Sequence, residues 1–161
     1  FYAFDLSKES IQLAAKSDQE WKVKWFVGDL ARLPLLDQSM DLLLDIFSPA
    51  NYQEFKRVLA PEGRLIKVIP TAAHLQEIRQ KVKDHLDQAD YSNEQIIQHF
   101  SDHFTIENTI HCQETFELTP ALREALLSMT PLLFHVDPAQ IDWNDLTQVT
   151  ISATILIGRS N

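Results

Sequence analysis

Residues 28–49, GDLARLPLLDQSMDLLLDIFSP, decide how this chain folds. The segment starts at a glycine turn carrying Asp29 and runs through a leucine- and proline-containing loop. It then enters MDLLLDIF (residues 40–47), which is apolar on both faces around Asp45. A strand of that kind belongs in a sheet covered by helices on both sides. The loop before it suits the wall of a small-molecule pocket. Such pockets usually begin at a glycine-rich loop, yet the chain has only three glycines, Gly28, Gly63 and Gly158. Half of the pocket has to come from elsewhere.

Toward the N-terminus, FYAFD (residues 1–5) is a short apolar strand ending in an acid. LSKESIQLAAKS follows as a helix, with Ser7 as its N-cap, Ile11, Ala14 and Ala15 on one face and Lys16 near its end. VKWFVGD is a second strand, stopped by Gly28. Toward the C-terminus, YQEFKRVLAPEG reads as a short helix ended by Pro61 and Gly63, and RLIKVIP as the next strand. The first 70 residues therefore read β-α-β-loop-β-α-β, which implies parallel pairing, right-handed crossovers and an α/β fold.

The rest has a different rhythm. AAHLQEIRQKVKDHL is an amphipathic helix with Leu75, Ile78, Val82 and Leu86 on one face. A polar stretch then leads to Ile96, Ile97 and Phe100, so a helical insertion is expected at about 73–100. HFTIENTIHCQETFEL alternates like a long strand or strand pair. TPALREALLSM is a helix capped by Thr119 with Pro120 at its first position. TQVTISATILIG is a last strand, with Val149, Ile151, Ala153, Ile155 and Ile157 in alternation. No repeat, low-complexity tract or interdomain linker is visible.

Composition narrows the class. The 161 residues are 45% hydrophobic and 23% charged, as in a globular domain. No apolar run approaches the ~20 residues that span a bilayer, and no cationic start with an apolar core is seen. The chain opens on Phe1 rather than Met inside an apolar run, which suggests a fragment or a processed product. The single cysteine, Cys112, suits a buried, inert position on a strand and fits a reducing, cytoplasmic compartment. A formal charge of −9 argues against a nucleic-acid groove built by this chain alone. The densest basic stretch, residues 79–83, reads as a solvated helix face. His99 and His103 stand four apart, but no acidic third ligand accompanies them. Trp21, Trp25 and Trp143 read as core or edge aromatics.

Two acids stand at successive strand ends, Asp5 and Asp29. In open parallel sheets ligands lie outside the carboxyl ends of the strands. An acid at the first position can take both hydroxyls of a ribose. One at the second can accept from an exocyclic adenine amine while Leu30 covers the ring. Each has a plain alternative, Asp5 as a helix cap and Asp29 as a turn residue. Together they suit an adenosine-bearing cofactor.

The blocks FDLSKESIQLAAK, GDLARLPLLDQSMDLLL and EFKRVLAPEGRLIKVIP resemble, in order and spacing, the class I S-adenosylmethionine-dependent methyltransferases. The match lies in an acid-ended strand, a GDxxxLPxxDxSMD block and an RVLxPxGxL block. SPANYQEFKRVLAPEGRLIKVIPTAAHLQEIR together with LREALLSMTPLLFHV is similar, more narrowly, to the 23S rRNA (guanine-N1)-methyltransferases. There the carriers are Ser48-Pro49, Pro70 with His74-Leu75, and Met129-Thr130-Pro131.

The resemblance implies a Rossmann-like methyltransferase sheet with a terminal antiparallel strand pair. It implies S-adenosyl-L-methionine held by Asp5, Leu6, Asp29, Leu30, Phe47 and Ser48, and an acceptor base met by Ser48 and Pro49. It implies 23S rRNA as partner of the complete protein, with zinc only in a ribbon upstream of this chain. The family's first strand and its glycine-rich loop have no counterpart in this chain, so the family's 3-2-1-4-5-7-6 sheet should have a gap in its middle. Residues 1–70 would be the cofactor part of an incomplete catalytic domain, and residues 71–161 the insertion and C-terminal strands. Alone, the chain should be impaired or inactive unless another chain, such as a second copy, or a rearranged sheet fills the gap. Removal of the guanine N1 proton needs a base that the sequence does not name; Asp45 and His74 are candidates. A small-molecule methyltransferase of the same fold and a truncated, non-catalytic domain are the alternatives.

Overall fold

The computed structural model describes residues 1–85, 91–134, 136–137 and 141–161. Leu86 and His135 fall outside them. The chain runs β1 (Tyr2–Asp5), α1 (Lys8–Ser17), β2 (Lys24–Val27), β3 (Met40–Ile46), α2 (Tyr52–Val58), β4 (Leu59–Pro70) and α3 (Gln76–Val82). α4 (Glu94–Ser101), β5 (Phe104–Glu117), α5 (Pro120–Met129) and β6 (Gln148–Ser160) follow. Short 3-10 turns occupy Lys83–His85 and Pro131–Leu133.

The strands form two sheets. β1 and β2 pair in parallel, and a separate four-stranded sheet has the order β3-β4-β6-β5. β3 and β4 are parallel, while β6 runs antiparallel to both β4 and β5. No ladder joins β1 to β3. The split falls where the family's first strand would stand. It leaves Leu42, Leu44 and Ile46, on one face of β3, 52%, 58% and 56% exposed. The expectation of a strand covered on both faces is therefore corrected. Among the described residues this face is covered only about half, although its side chains are those of a buried strand.

The main core lies where α2 and α4 meet the larger sheet. Tyr52, Phe55, Leu59, Leu65, Phe100, Phe104 and Leu156 are buried there together. Gly158 makes this possible, since a Cβ at that position would stand 2.7 Å from the Phe100 ring. A second cluster joins Ile78 and Val82 of α3 to Leu133, Val136 and Leu146.

Other expectations shift in detail. α2 ends at Val58, before Pro61 and Gly63, because Leu59 is already extended and pairs with Met40. Pro61 disfavours helix at Ala60, and a Cβ on Gly63 would come within 2.9 Å of the Met40 carbonyl. α3 begins at Gln76, four residues later than the periodicity suggested, after a left-handed Leu75 (φ 53°) whose N–H donates to Thr150 O. β5 is one continuous strand, not a pair, with a bulge between Ile106 and Asn108. Cys112 is exposed, not buried, because β5 is the edge of its sheet and its face there is uncovered. Trp25 sits in β2 and donates from its indole to Asp18, whereas Trp21 is 88% exposed rather than packed in a core. No described helix is long and apolar enough to cross a membrane.

Candidate cofactor and acceptor site

A cavity of about 1520 Å³ lies between the C-terminal end of β1 and the turn that follows β3. It exceeds the roughly 300–1,000 Å³ of ordinary ligand pockets, so a cofactor and an acceptor could share it. Asp5, Ser7 and Ser10 form one side, and Phe47, Ser48 and Pro49 another. His74, Tyr91 and the Met129-Thr130-Pro131 element also line it. Five sequence-derived candidates are thereby brought together: Asp5, Phe47, Ser48, Pro49 and His74. Leu6, Asp29 and Leu30 are not in the cavity wall; Leu6 is 72% exposed, and Leu30 packs against the main core.

Local chemistry explains each placement. Asp5 ends β1 and accepts the Ser7 N–H at 2.7 Å through Oδ1, while Ser7, not Asp5, caps α1 by accepting from Ser10 N–H. The second carboxylate oxygen of Asp5 has no partner among the described residues, so the side chain can still accept from a diol. Asp29 accepts the Ala31 N–H at 2.9 Å, the turn role that its sequence also allowed. Its loop is fastened from the opposite side. Asn51 Nδ2 donates to Leu30 O at 2.9 Å, while its Oδ1 caps α2 by accepting from Glu54 N–H.

The same loop explains why the two sequence blocks occur together. Arg57, at the end of α2, donates to Leu33 O, Leu35 O and Asp37, and twice to Glu54. That uses all five guanidinium donors. Glu54 in turn accepts the Leu33 N–H at 2.6 Å. These hydrogen bonds hold the Glu54 carboxyl below its ordinary range, those from Arg57 foremost. The leucine–proline loop and the RVL block are thus two sides of one clamp.

Behind the turn after β3 lies a buried ion pair. Lys67 Nζ of β4 donates to Asp45 Oδ2 at 2.6 Å and to Ser48 O at 2.8 Å, with side chains 4% and 1% exposed. Ser48 Oγ donates to the other Asp45 oxygen. Asp45 therefore positions the turn. As a base it would leave the Lys67 ammonium buried and unpaired, which is strongly unfavourable. Of the Ser48-Pro49 turn expected to meet an acceptor base, the Ser48 carbonyl already accepts from Lys67. Phe47, just before it, holds a left-handed φ of 50°, and Leu75 one of 53°. Bulky residues rarely adopt that conformation, and strain of this kind gathers at functional sites.

Sequence reasoning did not single out Lys67, Asn51 or Tyr52. Tyr52 lies beneath the cavity with its ring stacked on His103 and edge-on to His99, which is where that histidine pair goes. Burial and, after it, the Asp45 charge push the Tyr52 phenol up to about 12. No group of metal-ligating side chains occurs among the described residues. The basic stretch 79–83 is only partly a solvated face, since Arg79 donates to His74 O and covers the Tyr91 ring, and Lys81 pairs with Asp145.

Residues 1–67 match the family described as a methyltransferase domain. The chain is 33% identical over 157 residues to a Bacillus subtilis (strain 168) protein provisionally named 23S rRNA (guanine-N(1)-)-methyltransferase YxjB. That match covers 96% of this chain and 55% of the relative. It is 26% identical over 166 residues to the 23S rRNA (guanine(748)-N(1))-methyltransferase of Streptomyces fradiae, covering 96% and 56%. The chain thus spans about half the length of the curated relatives it matches. In fold it is similar to the YcgJ protein of Bacillus subtilis (TM-score 0.60, 16% identity, 99% of this chain and 82% of that one). It is also similar to a geranyl diphosphate methyltransferase in complex with SAM (TM-score 0.57, 13% identity, 99% and 68%).

Proposed function

We propose that the chain is part of a class I S-adenosylmethionine-dependent methyltransferase, and that the complete protein methylates N1 of a guanine in 23S rRNA. The observation that carries this reading is one cavity bringing the strand-end acid Asp5 opposite the Phe47-Ser48-Pro49 turn, with Met129-Thr130-Pro131 in its wall. Two relatives named for guanine-N1 methylation of 23S rRNA, matched over nearly the whole chain, support the acceptor.

In this reading Asp5 holds the ribose hydroxyls beside Leu6. Asp29 and Leu30, on the loop after β2 and outside the cavity wall, would meet the adenine only at the cavity's margin, and Phe47 and Ser48 border the transfer point. S-adenosylmethionine supplies an electrophilic methyl on a sulfonium, so the chain's own contribution is proximity and alignment. The Lys67–Asp45 pair fixes the acceptor turn, and the Arg57 clamp fixes the adenine loop.

A second reading, a small-molecule acceptor, draws on the net charge of −9 and on the fact that Lys67, the one cation lining the cavity among the described residues, is neutralised by Asp45. Calorimetric titration of S-adenosylhomocysteine into the complete gene product tests the site. Asp5→Ala should weaken binding at least tenfold, about 1.4 kcal/mol. Absence of binding to the unaltered protein would remove the activity and leave only the fold. Methylation of 23S rRNA fragments, read by primer-extension arrest, then separates the two acceptors.

A further inference from the structure

His74 is the cavity residue whose hydrogen bonding is most narrowly set. Its backbone N–H donates to Thr71 O, and its carbonyl accepts from Arg79 Nε at 3.2 Å. Its ring packs against the Phe47 ring, with centroids 4.9 Å apart. Nδ1 accepts the backbone N–H of Ser152 at 3.3 Å. Ser152 is itself buried on the inner strand β6, with its hydroxyl bonded to Thr71 and to Gln113. A ring nitrogen that accepts a hydrogen bond carries no proton, so the proton of the neutral imidazole sits on Nε2. Nε2 has no partner among the described residues and is not sealed in the core.

We infer that His74 is a neutral hydrogen-bond donor to the acceptor base, presenting Nε2–H to the exocyclic carbonyl oxygen next to the methylated nitrogen. This rests on the guanine reading above. The chemistry explains why a donor is wanted there. For N1 to attack, its proton must pass to solvent water, and the charge left behind spreads onto O6. The N1–C bond then forms as the S–C bond breaks, with the electron pair going to sulfur. A fixed donor at O6 stabilises the anion that precedes attack, as a preorganised donor does at any developing oxyanion. It also selects guanine, because adenine presents an amine at that position. Burial first, and the Arg79 charge second, hold the imidazole below its usual value, so it stays neutral. His74 is then the donor rather than the base.

Two measurements on the complete gene product test this. The first is a 15N chemical-shift assignment of the His74 tautomer, which needs no activity. Nε2 protonated with Nδ1 bare is expected, and the opposite tautomer overturns the assignment. The second is rRNA methylation by His74→Phe and His74→Gln, with S-adenosylhomocysteine titrated in parallel. Phe removes the donor and should lower kcat about a hundredfold, with S-adenosylhomocysteine affinity within twofold. Gln restores a donor without basicity and should keep kcat within tenfold, with the pH–rate profile unchanged. If Gln is as inactive as Phe while still binding S-adenosylhomocysteine, or if Phe retains activity, the donor role is wrong. If the unaltered protein binds S-adenosylhomocysteine but methylates no rRNA, the guanine reading fails, and this role with it.

Discussion

Lys67 and Asp45 show how one substitution can cost more than a pair. Each is buried, and each satisfies the other as well as the Ser48 turn. Lys67→Met leaves a carboxylate without its counter-charge and should destabilise the complete protein by about 3–5 kcal/mol. Lys67→Met combined with Asp45→Leu should recover most of that loss in urea unfolding, yet still loosen the Ser48 turn. Such a double variant would be stable with a raised KM for the acceptor. Recovery of both properties would deny the pair its positioning role. Asp45 was legible as an apolar-flanked acid inside a strand. Lys67 was not, because RLIKVIP looks like any strand with one solvent-facing cation, and only the register Asp45↔Lys67 turns that cation inward.

At the scale of elements, the clamp between α2 and the loop after β2 decides whether the smaller sheet has a fixed place. Arg57 reaches the loop carbonyls, and Gln38 and Ser39 donate back to Arg57 O and Val58 O. Arg57→Ala should lower the urea midpoint more than Arg57→Lys does, since a single ammonium cannot reproduce the planar fork. Two carboxyls make this stability pH-dependent. Glu54 lies below its ordinary 4.5 mainly through Arg57. Burial pushes the Glu77 carboxyl up, but its hydrogen bonds, chiefly those from Thr150, outweigh that and leave it below 4.5 as well.

Folded-state values depressed in this way give stability that is full above 4.5 and lost as pH falls through the folded values. The urea midpoint should therefore hold from pH 7 to about 5 and drop below that. Glu77→Gln should flatten part of the drop; an unchanged slope would show that Thr150 contributes nothing.

For the whole molecule, the decisive feature is the break between β1 and β3. β3 presents an unpaired edge, and Leu42, Leu44 and Ile46 are exposed beside it. An uncovered apolar strand edge invites pairing with another chain. In the complete gene product, the β3 amides not bonded to β4 should be protected from hydrogen exchange; in the 161-residue chain alone they should exchange freely. Equal exchange in the two would mean that no strand fills the gap. The larger sheet does not divide at residue 70. β4 pairs with β6, and the main core draws Phe55 from one side of that position and Phe100 and Leu156 from the other.

The sequence by itself determined the order of elements, the parallel start, the antiparallel end and the acids at the ends of β1 and β2. These depend on local periodicity and on side chains adjacent along the chain. It also carried the resemblance, because the loop and RVL blocks are strings legible along the chain, whereas their meeting as two halves of one clamp is seen only in the fold. Only the tertiary structure decided which candidates share a cavity, that Asp45 is spoken for by Lys67, and that Nδ1 of His74 accepts from the Ser152 N–H. Those facts follow from strand register and from contacts between residues 22 to 78 positions apart, such as Asp45 with Lys67 and His74 with Ser152. Hydrophobic patterning does not encode such contacts, since it fixes which face a side chain takes but not which partner waits there.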